Sequence, residues 1–170
     1  MPGQEVQTVL APEQFAACHV GRRAEHASVH GGLGVGRRGY CDGRKRAGDG
    51  AGAREQVIDA RDAGRFTGET VDTVHGLPGG HIPGARNLFF RDLYNADGTF
   101  RSDDELRAAF ERAGVDLSRP IVTSCGSGVT ASVLLFALHR LGIEDAALYD
   151  GSWSEWGADP ATPKETGAAA

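Results

Sequence analysis

From residue 57 onward the apolar positions come in short blocks, some continuous and some spaced three and four residues apart. Val57-Ile58-Asp59-Ala60, Ile121-Val122-Thr123 and Ala146-Ala147-Leu148-Tyr149 are brief runs bounded by polar or turn residues, the pattern of buried strands. Leu88-Phe89-Phe90 is a further short apolar segment. Helical patterns lie between them. Ser102 opens SDDELRAAFERAG, and Glu105 stands three residues later, as a capping box requires. Leu106, Ala109, Phe110 and Ala113 form its apolar stripe, and Gly114 ends it. Ala131 to Arg140 reads as an apolar helix ended by Gly142, and Arg61 to Gly68 as a polar helical turn followed by a loop. Residues 75–87, HGLPGGHIPGARN, carry turn punctuation at Pro78, Gly79, Gly80, Pro83 and Gly84. Strands alternating with helices predict an α/β domain of three layers: a mostly parallel central sheet with helices on both faces.

The pattern differs before residue 57. Residues 7–17, QTVLAPEQFAA, suggest a strand and then a helix opening at Pro12, so 1–17 are expected as an N-terminal strand and helix start. In 18–56 glycine and arginine dominate, Leu33 is the single leucine and Tyr40 the single aromatic. Such a stretch cannot bury enough apolar area to offset its chain entropy, so disorder is expected there. The folded domain is placed at 57–159 and a tail at 160–170.

Composition narrows the class. The chain has 170 residues, 40% of them hydrophobic, which suits one domain with a real core. A net charge of −5 argues against nucleic acid as a partner. No run is long enough to span a membrane, and MPGQEVQTVL lacks the blocks of a signal peptide, so no membrane partner and a cytoplasmic location are expected. Cys18, Cys41 and Cys125 are odd in number, widely spaced and without a C-x-x-C pair, which supports neither a disulfide framework nor a zinc site. His19, His26 and His30 lie near Cys18, but in the segment expected to be disordered. No metal and no cofactor are expected.

Cys125 stands where the strand 121–123 gives way to the loop CGSGVT and then a helix. Amides at a helix start have no partner within the helix, and the helix dipole adds positive potential. A cysteine held there favours the thiolate, its reactive form. Gly126 and Gly128 let the backbone curl and expose its N–H groups. The position is also the carboxyl end of a strand, where α/β sheets build their sites. Cys125 is therefore expected as a nucleophile, a role that needs a solvent-reachable sulfur. Phosphate-ester chemistry of the C-x5-R kind is excluded, because Ala131 stands where the arginine would be.

CGSGVTA (125–131) resembles the active-site loop of the rhodanese-type sulfurtransferases, above all of the members that use 3-mercaptopyruvate. VIDARDAGRF (57–66), GHIPGARN (80–87) and YDGSWSEW (149–156) resemble three further signatures of that family, in the same order. The resemblance implies a rhodanese-like fold and sulfur transfer from 3-mercaptopyruvate through a Cys125 persulfide. Cyanide or a thiol, such as a thioredoxin-like dithiol, is the implied acceptor. It implies that Gly126, Gly128, Val129 and Thr130 frame the bound anion, and Ser127 reads equally as a donor to the substrate or as a loop hydroxyl facing water. It gives Arg65 the donor carboxylate and Arg61 a structural ion pair. Thiosulfate-using members carry basic residues where Gly126 and Ser127 stand, which leaves thiosulfate sulfurtransfer as the alternative, beside a non-catalytic persulfide carrier or inactive fragment. Family members often have a second arginine shortly before the GHIPGA turn. Here VDTVHGLPGG has none, and His75 reads as a surface loop histidine able to supply only a partial charge. Full-length mercaptopyruvate enzymes usually hold two such domains; this sequence supplies one.

Overall fold

The computed structural model describes residues 55–169. The strand and helix expected in 1–17, the disorder expected from residue 18 and the histidines near Cys18 lie outside the described residues.

Four strands form one parallel sheet: β1 (Gln56–Asp59), β2 (Arg86–Asn87), β3 (Ile121–Ser124) and β4 (Ala146–Leu148), in the order β2-β1-β3-β4. Val57 faces Val122 across β1 and β3, and Val122 faces Ala147 across β3 and β4. Neighbouring residues in a strand point to opposite faces, and two apolar layers result. Ile58, Ile121 and Leu148 pack with α2 (Asp103–Arg112) and α3 (Ala131–Arg140). Val57, Val122 and Tyr149 pack with Phe66 of α1 (Ala63–Thr67) and with Trp153 and Trp156 of α4 (Ser152–Trp156). The three-layer arrangement is therefore the one expected.

Local signals explain the helix ends. In α2 the Ser102 hydroxyl accepts from Glu105 N–H while the Glu105 carboxylate accepts from Ser102 N–H, the full capping box. Leu106, Ala109 and Phe110 are its buried stripe. Asp62 caps α1 by accepting from Arg65 N–H at 3.0 Å. Near Leu88-Phe89-Phe90 the strand pairing falls earlier, on Arg86 and Asn87, and Phe90–Leu93 form a 3-10 turn. Asn87 explains the shift: its side-chain amide donates to the carbonyls of Asp59 and Arg61 and pins the chain beside β1.

The expected tail returns to the domain. Glu165 and His81 exchange backbone hydrogen bonds at 2.9 and 3.0 Å, Gly167 N–H donates to Thr67 O, and Trp156 Nε1 donates to Pro163 O. Among the described residues no helix is long and apolar enough to cross a membrane.

Candidate active site

Cys125 directly follows β3, and strand alternation puts it on the same face as Ile121 and Thr123. The chain then turns through Gly126 to Thr130 and enters α3. Gly128 makes this turn at φ +84°, with the space for a Cβ filled by the Asp150 carbonyl 2.8 Å away, so only glycine fits. The segment after β4 grips the loop from the other side. Cys125 N–H donates to Ser152 Oγ at 3.0 Å. Trp153 N–H donates to Cys125 O at 2.9 Å, and Ser154 N–H to Gly126 O at 2.8 Å. Ser152 does this at φ +47°, the one left-handed non-glycine among the described residues. Its hydroxyl also donates to Tyr149 O at 2.8 Å. The amides of residues 126–130 donate to no described residue, so they stay available to an anion in front of α3.

The expectation of a solvent-reachable sulfur is not met in this conformation. Cys125 is 2% exposed and belongs to the apolar cluster that includes Ile58, Leu88 and Leu134. Strand parity sends its side chain inward beside α3, and His75 covers the neighbouring Gly126. A Cβ on Gly126 would collide with His75 Cε1. Gly126 and Gly128 are buried, Thr130 is half-buried, and Ser127 and Val129 are exposed.

Arg65 is half-buried and already paired. Its Nε donates to Asp62 at 2.6 Å, and Nη1 lies 3.7 Å from Asp72 Oδ1. It borders a cleft of about 400 Å³ together with Asp62, Thr70, Val71, Thr73 and Val74; Cys125 is not part of that wall. The structure thus joins Cys125 and the two glycines in one loop, sets His75 against Gly126, and reaches Arg65 only by way of Asp72.

The other charged residues hold the frame. Arg61 is 1% exposed, clamped by Asp59 at 2.6 Å, donating to Gly80 O at 2.7 Å and lying over the Trp153 ring. This is the structural ion pair the resemblance implied. Glu155 is exposed, and the carboxylate that clamps the interior arginine is Asp59. His81 stacks on Phe66 and its Nδ1 is 2.9 Å from Phe66 O, so it ties the turn.

One residue escaped the sequence reading, and a second stands in a different setting from the one expected. Ser152 sat inside a recognised stretch, but its contact with Cys125 spans 27 positions and leaves no local signal. His75 is not the surface histidine expected: its side chain is 16% exposed and its Nδ1 is 3.0 Å from Asp72 Oδ1. The missing arginine nearby was the one available hint. Asp72 itself is fully buried. Burial raises its carboxyl, but the His75 hydrogen bond and the Arg65 charge outweigh this and hold it below its ordinary value.

Comparison with known proteins agrees with this geometry. The chain is 49% identical over 110 residues to the 3-mercaptopyruvate sulfurtransferase of Escherichia coli K12, a match covering 65% of this chain and 39% of that protein. It is 46% identical over 101 residues to the thiosulfate sulfurtransferase of Gallus gallus, covering 59% of this chain and 34% of that one. The crystal structure of the Tum1 protein from Saccharomyces cerevisiae superposes with a TM-score of 0.59 at 33% identity, covering 66% of this chain and 40% of Tum1. The chain therefore spans well under half the length of these relatives. Residues 40–159 match the family described as "Rhodanese-like domain". With the strand-end cysteine, the glycine turn and the gripping helix all in that span, the chain belongs to the rhodanese-like family.

Proposed function

We propose that this domain moves sulfur from 3-mercaptopyruvate to a thiol or cyanide through a persulfide on Cys125, with release of pyruvate. The observation that carries the reading is the run of amides at 126–130, available in front of α3 and next to the one cysteine of the described domain. Such amides stabilise an anion that develops before them. The Cys125 thiolate attacks the donor's sulfur. The carbon–sulfur bond breaks, its electrons pass to the carbon skeleton, and protonation of the resulting enolate gives pyruvate. A thiolate acceptor, of which a thioredoxin-like dithiol is one, then takes the outer sulfur and restores Cys125. One transfer becomes two easier displacements. Gly126, Gly128, Val129 and Thr130 frame the anion, the exposed Ser127 hydroxyl faces the incoming donor, and Arg65 offers charge to its carboxylate. Because the sulfur is covered, loading requires the apolar cluster around Cys125 to open.

The relatives' names support the same chemistry, and the chicken relative favours thiosulfate as a second donor. The loop's Gly126 and Ser127 offer no side-chain cation to a doubly charged donor, which ranks mercaptopyruvate first. The test supplies each donor in turn, then reads pyruvate release and the mass of the Cys125 peptide. One added sulfur on Cys125, lost in Cys125→Ser, is the expected result. Sulfur uptake without turnover identifies a carrier. An unmodified Cys125 with either donor removes the proposal.

A further inference from the structure

The carboxyl-terminal segment is held to the domain mainly by hydrogen bonds. Glu165 and His81 pair as an isolated antiparallel bridge, and Gly167 N–H donates to Thr67 O at 2.7 Å. The Glu165 carboxylate accepts from Gly84 N–H at 3.0 Å, and Pro163 O accepts from the Trp156 indole at 2.7 Å. Residues 163–168 are all exposed, and of this segment Ala169 packs on the apolar layer of Trp153 and Trp156. Exposed hydrogen bonds with little apolar burial behind them open well before a core does.

What this segment touches leads to the cysteine loop. Gly80 lies between the two: a Cβ there would press on Glu165 O at 2.9 Å and reach the Trp153 ring at 3.5 Å. Trp153 donates its indole N–H to Pro78 O at 3.0 Å and its amide to Cys125 O at 2.9 Å. Ser154 N–H meets Gly126 O one residue further on. Trp156, at the end of α4, is the residue that Pro163 holds. The segment thus grips α4, and α4 grips the loop. Cys125 belongs to the other apolar layer, so the segment does not cover the sulfur itself. It fixes the backbone that keeps the thiol turned inward.

We propose that residues 163–169 are a strap whose release loosens α4 and the cysteine loop together, and that this opening lets Cys125 leave its apolar cluster to meet a sulfur donor. The donor rests on the sulfur-transfer reading; access to the thiol is measurable without it. The full chain is alkylated with iodoacetamide at one pH, and peptide mapping separates Cys125 from Cys18 and Cys41. Glu165→Pro removes the N–H that meets His81 O, and Cys125 reacts about fivefold faster, the worth of one lost hydrogen bond. Glu165→Ala keeps the backbone, loses the carboxylate and reacts about twofold faster. Gly142→Ala strains a left-handed turn with no strap atom near it, and leaves the rate unchanged. In the wild type the rate stays level through the urea range before unfolding, because a local opening exposes little surface. Wild-type rates in both Glu165 variants, an equal rise in Gly142→Ala, or a rate that climbs from the first addition of urea overturns the proposal. Faster alkylation in the Glu165 variants without persulfide from either donor removes the sulfur-transfer reading and keeps the strap. Persulfide formation with unchanged alkylation rates removes the strap alone.

Discussion

Ser152→Ala deletes one hydroxyl that serves two buried backbone groups. The oxygen accepts from Cys125 N–H at 3.0 Å and donates to Tyr149 O at 2.8 Å, and the residue is 0% exposed. A buried polar group left without its partner costs about 1–3 kcal/mol. With two such groups, set against the desolvation that the hydroxyl itself no longer needs, the net loss is about 2–4 kcal/mol. For a domain of this size the melting temperature falls by roughly 10 °C. Ser152→Gly loses the same hydrogen bonds but relieves the left-handed backbone at φ +47°, which disfavours an L side chain by about 1–2 kcal/mol. The glycine variant is therefore the more stable of the two by about 1 kcal/mol. Urea denaturation followed by the fluorescence of Trp153 and Trp156 reads both, with equal slopes confirming a shared unfolded state. An alanine variant within 0.5 kcal/mol of wild type, a value about half the usual net worth of one hydrogen bond, refutes the reasoning. So does a glycine variant below the alanine one. In both variants Cys125 alkylation accelerates, since the loop has lost a tether.

Two more outcomes follow from the same geometry. Gly128→Ala places a methyl 2.8 Å from the Asp150 carbonyl at φ +84°, and costs about 2–4 kcal/mol together with loss of sulfur uptake. Gly142→Ala, at φ +76° with open space around it, costs only about 1 kcal/mol; equal midpoints for the two would show that the Asp150 contact is not made. Asp62 and Asp72 are both held below the ordinary carboxylate value, in each case because hydrogen bonds and neighbouring cations outweigh the opposing effect of burial. A folded value below the unfolded one gives stability that is present above about pH 4 and lost as pH falls further. Denaturant midpoints from pH 6 to pH 3 should drop more steeply in the wild type than in Asp72→Asn, and parallel curves would remove Asp72 from the account.

The elements were legible because each wrote its rule into neighbouring residues. The Ser102–Glu105 box, the Leu106–Phe110 stripe and the split of Val57 from Ile58 into opposite layers need only local chemistry and strand alternation. Cys125 was likewise visible as a thiol between a strand and a helix, since that placement depends on the order of residues alone. Its burial was not, because exposure depends on what other segments lay across it. The side chains that bury it, Ile58, Leu88 and Leu134 among them, come from other elements, and His75 reaches Gly126 and Ser152 the Cys125 amide at separations where no periodicity operates. The order of residues determined the α/β layering and put one thiol at the junction of a strand and a helix. Tertiary structure decided how far that side chain is covered, which partners hold its loop, and which carboxylates Arg65 lies beside, because these are properties of surfaces that meet only once the chain has closed.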